Sequence, residues 1–389
     1  MYDFMKEAQS IKEELIEMRR FLHRNAEIRD ELPVTSQFVR DKLSSWGIEN
    51  REISKSGIVG RIGKGAGRTI LLRADMDALD VKEESGLPFA SSTPYGHCCG
   101  HDLHTAMLLG AAKILKNHEE ELSGTVKLMF QPGEEYFIGS QAMIKAGVLE
   151  EPKVDVAVDM HMNAKNPVGS VAVCKGYTCA SCDGMKLVVH GKGCHGAWPH
   201  TGTDPFHTAV NIYLAFQELL ARETPGDQTA TLTFGQITGG NTANIIPSDV
   251  TMQGTLRVFD KNTRAFLKER IQEIEEAMGK AYRTEIEHIV LSDVPALYTE
   301  PELQEEMIGY CRELGITYRD YPPSSASDDF ARVAERVPSV FFSIGCMPYG
   351  AKTLYPPHNP KILFNEDALP VGTAIHCQCA MKWLEAHHI

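Results

Sequence analysis

Residues 106–130, AMLLGAAKILKNHEEELSGTVKLMF, join an apolar helical pattern to a short apolar run of the kind that forms a buried strand. The pattern predicts a helix over residues 106–115 and a strand over residues 125–130. A β-rich run at residues 69–72 comes before this helix. Strands that alternate with helices in this way favour an α/β sandwich around a mainly parallel sheet.

The same alternation continues towards both ends of the chain. Apolar residues spaced three and four apart, from Phe4 to Leu22, share one helical face and predict an N-terminal helix. Further elements are predicted on similar grounds: a helix between residues 33 and 47, strands over 58–62, 154–158 and 339–344, and a last helix over 366–384. The fold class that follows is α/β, with the sheet sandwiched by helices.

The order of elements changes in the middle of the chain. Four strands and two helices are predicted there: strands over 185–189, 229–237, 250–258 and 285–291, and helices over 204–221 and 262–282. The first helix has Asp204 as its cap and Pro205 in its first turn. These elements predict a small α+β module. We expect one α/β domain in two parts, residues 1–180 and 293–389, interrupted by an inserted domain, residues 181–292.

Charge and composition restrict the classes of function. The 389-residue chain carries a formal net charge of -13, which disfavours binding to the phosphate backbone of nucleic acids. No apolar run approaches the ~20 residues that a membrane span needs, and the acidic N-terminal segment lacks the apolar core of a signal peptide. We expect a cytoplasmic protein in which most of the ten cysteines are small buried apolar residues.

The densest group of chemically reactive residues is YGHCCGHDLH, residues 95–104. A thiolate at Cys99 and an imidazole at His101 can face one ion in an irregular loop, because the glycines let the backbone turn tightly. A buried cysteine beside surface histidines is the alternative for an isolated C-x-H pattern. The further histidines and cysteine around this pair favour a metal site, and the spacing differs from that of structural zinc ribbons.

Other candidate ligands follow predicted strands. The pair Glu134 and Glu135 comes directly after the strand over 125–130, although adjacent glutamates are more often solvated surface charge. His161 ends another strand, His358 lies in a Pro-rich loop, and RADMD at 73–77 adds two carboxylates. These loops are all predicted to leave the sheet on one side. Cysteine, histidine and glutamate together suit a late first-row divalent ion: zinc by default, with manganese, cobalt or nickel possible.

The chain resembles the aminoacylase, carboxypeptidase and hippurate-hydrolase family of metal-dependent amidohydrolases, and within it the branch of N-acyl-amino-acid and auxin-conjugate hydrolases. The motifs that carry the resemblance span nearly the whole chain: RRFLHRNAE at 19–27, LRADMDAL at 72–79, CGHDLHTA at 99–106, QPGEE at 131–135, GKGCHGAWPH at 191–200, GGNTANIIP at 239–247, GTLRVFD at 254–260, SDDF at 327–330 and HNPKILFNEDALPVG at 358–372.

The resemblance implies a dinuclear metal site and assigns roles to single residues. The implied metal ligands, which would hold two divalent ions, are Cys99, His101, Glu135, His161 and His358. Glu134 would be the general acid/base. The inserted domain would be a lid and dimerisation domain, so that the active protein is a homodimer. Its His195 and Asn244, and less directly Arg257, would bind polar groups of the substrate or the developing oxyanion.

The implied activity is hydrolysis of the amide bond in an N-acyl amino acid or a similar small conjugate. Two departures from the family pattern concern side chains around the site: Tyr136 to Gly139 replaces a run of glycines, and Met162 replaces an aromatic residue. Two alternatives remain open. A cysteine nucleophile could act at Cys98, Cys99 or Cys194, or the chain could be a non-catalytic binding protein that keeps the metal ligands, although such a protein does not require Glu134.

Overall fold

The structure is a computed structural model that describes residues 2–63, 67–350 and 352–388. The described helices are α1 (Phe4–Ser10), α2 (Lys12–Arg24), α3 (Pro33–Ser45), α4 (His101–Asn117), α5 (Gly139–Lys145), α6 (Pro205–Arg222), α7 (Lys261–Tyr282), α8 (Pro301–Glu313), α9 (Ala331–Ala334) and α10 (Ala368–Ala386). The described strands are β1 (Glu49–Ser54), β2 (Gly57–Ile62), β3 (Thr69–Asp75), β4 (Thr125–Gln131), β5 (Val156–Asn163), β6 (Ser170–Val173), β7 (Gly176–Cys179), β8 (Cys182–His190), β9 (Cys194–His195), β10 (Ala230–Gly239), β11 (Ile245–Ile246), β12 (Asp249–Val258), β13 (Glu285–Val294), β14 (Leu297–Thr299), β15 (Thr317–Asp320) and β16 (Ser339–Gly345).

The chain divides into two compact units. The first contains Met1–Thr178, Tyr298–Pro322 and Asp328–Ile389, and the second contains Cys179–Leu297 and Pro323–Ser327. The second unit begins two residues before the predicted inserted domain and ends five residues after it. It also contains a short segment from much later in the sequence. That segment is held by backbone hydrogen bonds, because Ala180 N donates to the carbonyl oxygens of Ser324 and Ala326 at 3.0 Å.

The first unit is built on an eight-stranded sheet in the order β1-β2-β4-β3-β5-β16-β6-β15. Strands β4, β3, β5 and β16 run parallel to one another and form its centre, while β1 and β2 are antiparallel additions at one edge. Every residue of β3 and β4 is buried, as expected where helices cover both faces of a sheet. The predicted α/β class with a mainly parallel central sheet is confirmed.

The second unit is a four-stranded antiparallel sheet in the order β10-β12-β8-β13. Helices α6 and α7 pack against each other and against this sheet, and the apolar side chains between them form one core. Asp204 caps α6, as the sequence predicts, because its carboxylate accepts a hydrogen bond from Phe206 N at 2.9 Å. Two short strands, β9 and β11, pair as a separate hairpin-like element.

Two helices differ from the prediction. The N-terminal helix is two helices, because α1 ends at Ser10 and α2 starts at Lys12. Helix α4 starts at His101, five residues before the predicted start, since polar residues of the metal motif form its first turn. Across the residues that the structure describes, none of the helices has both the length and the apolar character of a membrane span.

Candidate metal centre

The candidate site lies where the parallel strands of the first unit end. Because β3, β4 and β5 run in the same direction, their carboxyl ends meet at one edge of the sheet. Asp75 is the last residue of β3, Glu134 follows β4 after a short turn, and His161 lies near the end of β5. The sheet therefore positions residues from distant parts of the chain beside each other.

The metal motif of residues 95–104 is positioned by the start of α4. Gly100 precedes the helix with φ +98°, a left-handed conformation that favours glycine. A Cβ atom at this position would lie 3.2 Å from the Met162 side chain. The tight turn brings Cys99 towards β5, so that its Sγ lies 3.3 Å from His161 Nε2.

The structure brings all five predicted metal ligands together. Cys99, His101 and His161 form one group whose potential ligand atoms lie within 4.8 Å of one another, and Cys99, Glu135 and His358 form a second. Cys99 belongs to both groups. The two groups therefore adjoin at one thiol.

Unpaired buried atoms indicate that these side chains are arranged for a cation. Both ring nitrogens of His101 are buried without a hydrogen bond, with carboxylate oxygens of Asp75 and Asp77 at 3.6 Å and 3.7 Å, and Glu135 Oε1 is buried without a hydrogen-bond partner. His101 Nε2 lies 3.7 Å from Glu135 Oε1, too far for a hydrogen bond. Leaving such groups unpaired costs free energy, so a bound ion accounts for their arrangement better than a protein contact does. A thiol, imidazoles and a carboxylate suit a late first-row divalent ion.

Hydrogen bonds fix the orientation of the histidine rings. His161 Nδ1 donates to the carbonyl oxygen of Met162 at 2.9 Å, which leaves the Nε2 lone pair facing Cys99. His104 Nδ1 donates to Asp75 at 2.6 Å, while its Nε2 accepts from Met162 N at 2.9 Å. His104 is thus not among the ligands, although it lies in the same motif. Its role is to hold Asp75 and the end of β5 together.

His358 reaches the site from a strained loop. Its φ of +67° is in the left-handed region, which costs a non-glycine residue about 1 kcal/mol or more. Its backbone N–H donates to the carbonyl oxygen of Cys98 at 3.0 Å, so the loop is tied to the metal motif. Its Nε2 lies 3.4 Å from Glu135 Oε2. The side chain remains half exposed, which makes it the most accessible of the five candidate ligands.

Asp77 determines how the glutamate pair is presented. Its carboxylate accepts hydrogen bonds from Glu134 N at 2.9 Å and from Glu135 N at 3.2 Å. The two backbone amides are therefore fixed while the two glutamate side chains stay free to act. The sequence predicts two carboxylates of RADMD at this edge of the sheet but assigns them no role. Their position directly after a buried strand was the available signal.

Glu134 is buried among other acids. Burial, followed by the negative charges of Asp328, Glu135 and Asp329, raises the pKa of the Glu134 carboxyl well above its usual value. A carboxyl group with a raised pKa, beside candidate metal ligands, can take up and release a proton. Asp328 and Asp329 belong to the SDDF motif, for which the sequence alone suggested no function.

A buried arginine offsets part of this negative charge. The fully buried guanidinium of Arg73 lies 2.9 Å from Asp75, 2.8 Å from Asp159 and 3.2 Å from Asp329. Asp329 also accepts a hydrogen bond from Gln131 Nε2 at 2.6 Å. Pairing and hydrogen bonding make the burial of so many charges tolerable.

Two candidate residues of the second unit lie together in the β9–β11 pair. His195 Nδ1 accepts a hydrogen bond from Ala197 N at 3.1 Å, which leaves Nε2 as the protonated, donating nitrogen of the neutral ring. Gly196 N donates to the carbonyl oxygen of Asn244 at 2.8 Å, so the loops that carry His195 and Asn244 are joined. The His195 side chain is exposed.

Arg257 has a different environment. It lies on β12, and its Nη1 donates to Ser327 Oγ at 2.7 Å. Ser327 belongs to the late segment that joins this unit, and its hydroxyl in turn donates to the carbonyl oxygen of Ala180 at 2.7 Å. Arg257 therefore holds the 323–327 segment in the second unit, in addition to any contact with a substrate.

Known proteins resemble this chain over almost its full length. Thermostable carboxypeptidase 2 of Saccharolobus solfataricus is 35% identical over 384 residues, which is 97% of each chain. N-acetyl-L-cysteine deacetylase of Bacillus subtilis is 33% identical over 381 residues, 97% of this chain and 90% of the relative. The crystal structure of a dinuclear metal binding peptidase from the M20 family of Bacillus subtilis is 29% identical, with a TM-score of 0.83 over 98% of this chain and all of the other.

The family model agrees with these similarities and with the site. The model for peptidase family M20/M25/M40 matches residues 71–382, which include all five candidate ligands and Glu134. The resemblance stated from the motifs is confirmed, since the relatives include carboxypeptidases and deacetylases of N-acylated amino acids. The chain belongs to peptidase family M20/M25/M40.

Proposed function

We propose that the protein is a metal-dependent amidohydrolase that cleaves N-acyl amino acids or similar small conjugates into a carboxylate and a free amine. The observation that carries this proposal is the convergence of Cys99, His101, Glu135, His161 and His358 beside Glu134 at one edge of the sheet. Two relatives are named as a carboxypeptidase and an N-acetyl-L-cysteine deacetylase, and these names support the substrate class.

The five side chains would hold two divalent ions per chain, with zinc the first candidate and manganese, cobalt or nickel as alternatives. When bound, such ions supply Lewis-acid chemistry, because they lower the pKa of water and polarise a carbonyl group. Glu134 then accepts a proton from the attacking water and delivers it to the leaving nitrogen. Asp77 fixes the backbone amide of Glu134, from which the carboxyl group extends.

We propose that hydrogen-bond donors of the second unit stabilise the negative charge that develops on the carbonyl oxygen of the substrate. The His195 ring has its Nδ1 satisfied by Ala197 N–H, so its Nε2–H is directed at an incoming acceptor. A fixed N–H donor stabilises an oxyanion without reorganising during the reaction. Asn244, held beside it, supplies a further amide for polar groups of the substrate.

The partner that we propose is a second copy of this chain, bound through the second unit, which would serve as lid and dimerisation domain. Helix α6 exposes Val210 and Leu214, and the neighbouring β10 is an edge strand that exposes Ile237. Exposed apolar side chains beside an open strand edge are typical of a surface that pairs with another chain. We also propose a cytoplasmic location. The acidic composition disfavours a nucleic-acid partner.

A cysteine nucleophile is chemically less suitable. Burial, followed by the charges of Glu83 and Asp102, raises the pKa of Cys98 to about 12, which disfavours the thiolate at neutral pH. Cys99 lies in both candidate metal groups, and a thiol that binds metal is not available as a nucleophile.

Metal removal tests the proposal. Chelator-treated protein should lose activity on N-acetyl, N-benzoyl and longer N-acyl amino acids, and should regain it when zinc, manganese, cobalt or nickel is added. Elemental analysis of the active protein should give about two ions per chain. Alkylation of accessible thiols in the metal-loaded protein serves as the control for cysteine catalysis. Full activity of the metal-free protein would contradict the proposal.

A further inference from the structure

Trp198 is exposed although tryptophan side chains are normally covered. Of the three tryptophans in the chain, Trp383 is buried and Trp46 packs partly buried against the core, whereas Trp198 is 60% exposed. An indole presents a large apolar area, so its exposure to water is unfavourable unless something binds to it.

The loop around Trp198 is held firmly. Trp198 N donates to the carbonyl oxygen of His195 at 2.8 Å, and the Trp198 carbonyl oxygen accepts from Thr201 N at 3.0 Å. At the base of the loop, Lys192 and Thr203 exchange two backbone hydrogen bonds of 2.9 Å. The backbone that carries the indole is therefore held in place, so the loop itself needs little ordering when a ligand packs against the ring.

The indole lies beside the proposed oxyanion donor. The ring centroids of Trp198 and His195 are 5.0 Å apart, with an interplanar angle of 36°. Ile245 is the register partner of His195 in the β9–β11 pair and is 55% exposed. Side chains of directly opposed residues in an antiparallel pair project on the same face. An aromatic and an aliphatic side chain thus flank the imidazole.

We propose that Trp198, with Ile245, forms an acyl subsite that selects substrates with an apolar acyl group of several carbons or an aromatic ring. The inference rests on the proposed function, in which His195 Nε2 donates to the carbonyl oxygen of the scissile amide. The acyl chain is bonded to that carbonyl carbon, so it starts within reach of the neighbouring indole. The other half of the substrate carries a charged carboxylate, which an apolar wall does not stabilise.

Substrate series in matched variants test this inference. The ratio of kcat/KM for N-hexanoyl-alanine to that for N-acetyl-alanine should fall about tenfold in Trp198→Ala, because added methylenes gain about that much from an apolar wall. Trp198→Phe should keep most of the ratio. Val290→Ala, which removes an apolar side chain that is 63% exposed on β13, is the matched control and should leave the ratio unchanged.

A second ratio, that of kcat/KM for N-acetyl-phenylalanine to kcat/KM for N-acetyl-alanine, shows which half of the substrate Trp198 contacts. In Trp198→Ala this second ratio should stay within about twofold of its wild-type value, because the amino-acid side chain of the substrate does not pack against Trp198. A change in this ratio without a change in the acyl ratio would assign Trp198 to the amino-acid side chain and overturn the inference. An unchanged acyl ratio would overturn it too. If wild type cleaves none of these substrates, the proposed function itself fails, and the subsite with it.

Binding without turnover gives a second readout. In Glu134→Gln, added N-hexanoyl-alanine should shift tryptophan emission to shorter wavelength as the Trp198 indole leaves water. The double variant Glu134→Gln, Trp198→Phe should show no shift, because the other two tryptophans are already buried or partly buried. An equal shift in the double variant would overturn the assignment of the signal, and of the subsite, to Trp198.

Discussion

Glu134 and Glu135 are adjacent in sequence, but their surroundings differ in kind. Glu135 faces His101 and His358, at 3.7 Å and 3.4 Å between its carboxylate oxygens and their Nε2 atoms. Glu134 also lies within 4.8 Å of His101, but Asp328 and Asp329 add two further carboxyl groups within the same distance of it. One carboxylate therefore has partners that bind a cation with it, and the other has neighbours that favour its protonated form. This division is the physical basis for two roles within one dipeptide.

Conservative substitutions should separate these two roles. Glu134→Gln keeps the size of the side chain but cannot carry a proton, so kcat should fall by ~10²–10⁴ while metal content stays near that of wild type. Glu135→Gln should instead lower metal affinity, measured by competition with a coloured chelator. Each variant is the control for the other. Loss of metal in Glu134→Gln together with full metal in Glu135→Gln would mean that the roles are reversed.

At the scale of elements, the turn before α4 connects the metal motif to β5. Gly100 combines a left-handed backbone with close packing, because a Cβ there would lie 3.2 Å from Met162 and 3.3 Å from Phe364. Met162 in turn follows His161 and accepts its ring N–H through its carbonyl oxygen. A change at Gly100 should therefore reach the ligand on the neighbouring strand.

Gly100→Ala should weaken metal binding, whereas an alanine at another left-handed glycine should not. The left-handed conformation costs an alanine about 1–2 kcal/mol in the free energy of unfolding. Gly147→Ala is the matched control, since Gly147 has φ +88° and nothing within 4 Å of the added Cβ. In the metal-free proteins, Gly100→Ala should lower the free energy of unfolding at least as much as Gly147→Ala does. Calorimetric titration with zinc should show weaker binding only in Gly100→Ala. Equal zinc affinities would rule out this connection.

The elements themselves differ in how far the sequence predicts them. Asp204 before Pro205 specifies the start of α6 locally, so the prediction was accurate to one residue. The break between α1 and α2 was missed because Ile11 keeps the apolar spacing across it. The start of α4 was missed for the opposite reason, since His101 and His104 interrupt the apolar pattern with groups directed at the site.

Long-range partners set the limit for the site as well. Cys99, His101 and Glu135 could be proposed as ligands because thiol, imidazole and carboxylate groups have recognisable metal chemistry. The role of Asp77 depends on backbone amides 57 and 58 residues later, which no local pattern specifies. The inclusion of residues 323–327 in the second unit depends likewise on hydrogen bonds to Ala180. The sequence therefore shows which residues can bind a metal, whereas their positions and partners depend on the fold.

At the scale of the whole molecule, the proposed reaction divides its groups between the two units. Glu134 and the candidate ligands belong to the first unit, and His195 and Asn244 belong to the second. In the proposed homodimer, His195 of one chain would serve the site of the other chain. In that case the two groups can be supplied by different chains, and two inactive variants can complement each other.

Subunit exchange between His195→Ala and Glu134→Gln tests this arrangement. Each homodimer should be nearly inactive, and random mixing should make about half of the dimers hybrids. In each hybrid, the site on the His195→Ala chain keeps its own Glu134 and receives His195 from its partner, while the other site lacks both groups. One working site in half of the dimers restores about a quarter of wild-type activity per site. Exchange is verified with differently tagged chains. If the hybrids form and remain inactive, His195 acts within its own chain or takes no part in catalysis.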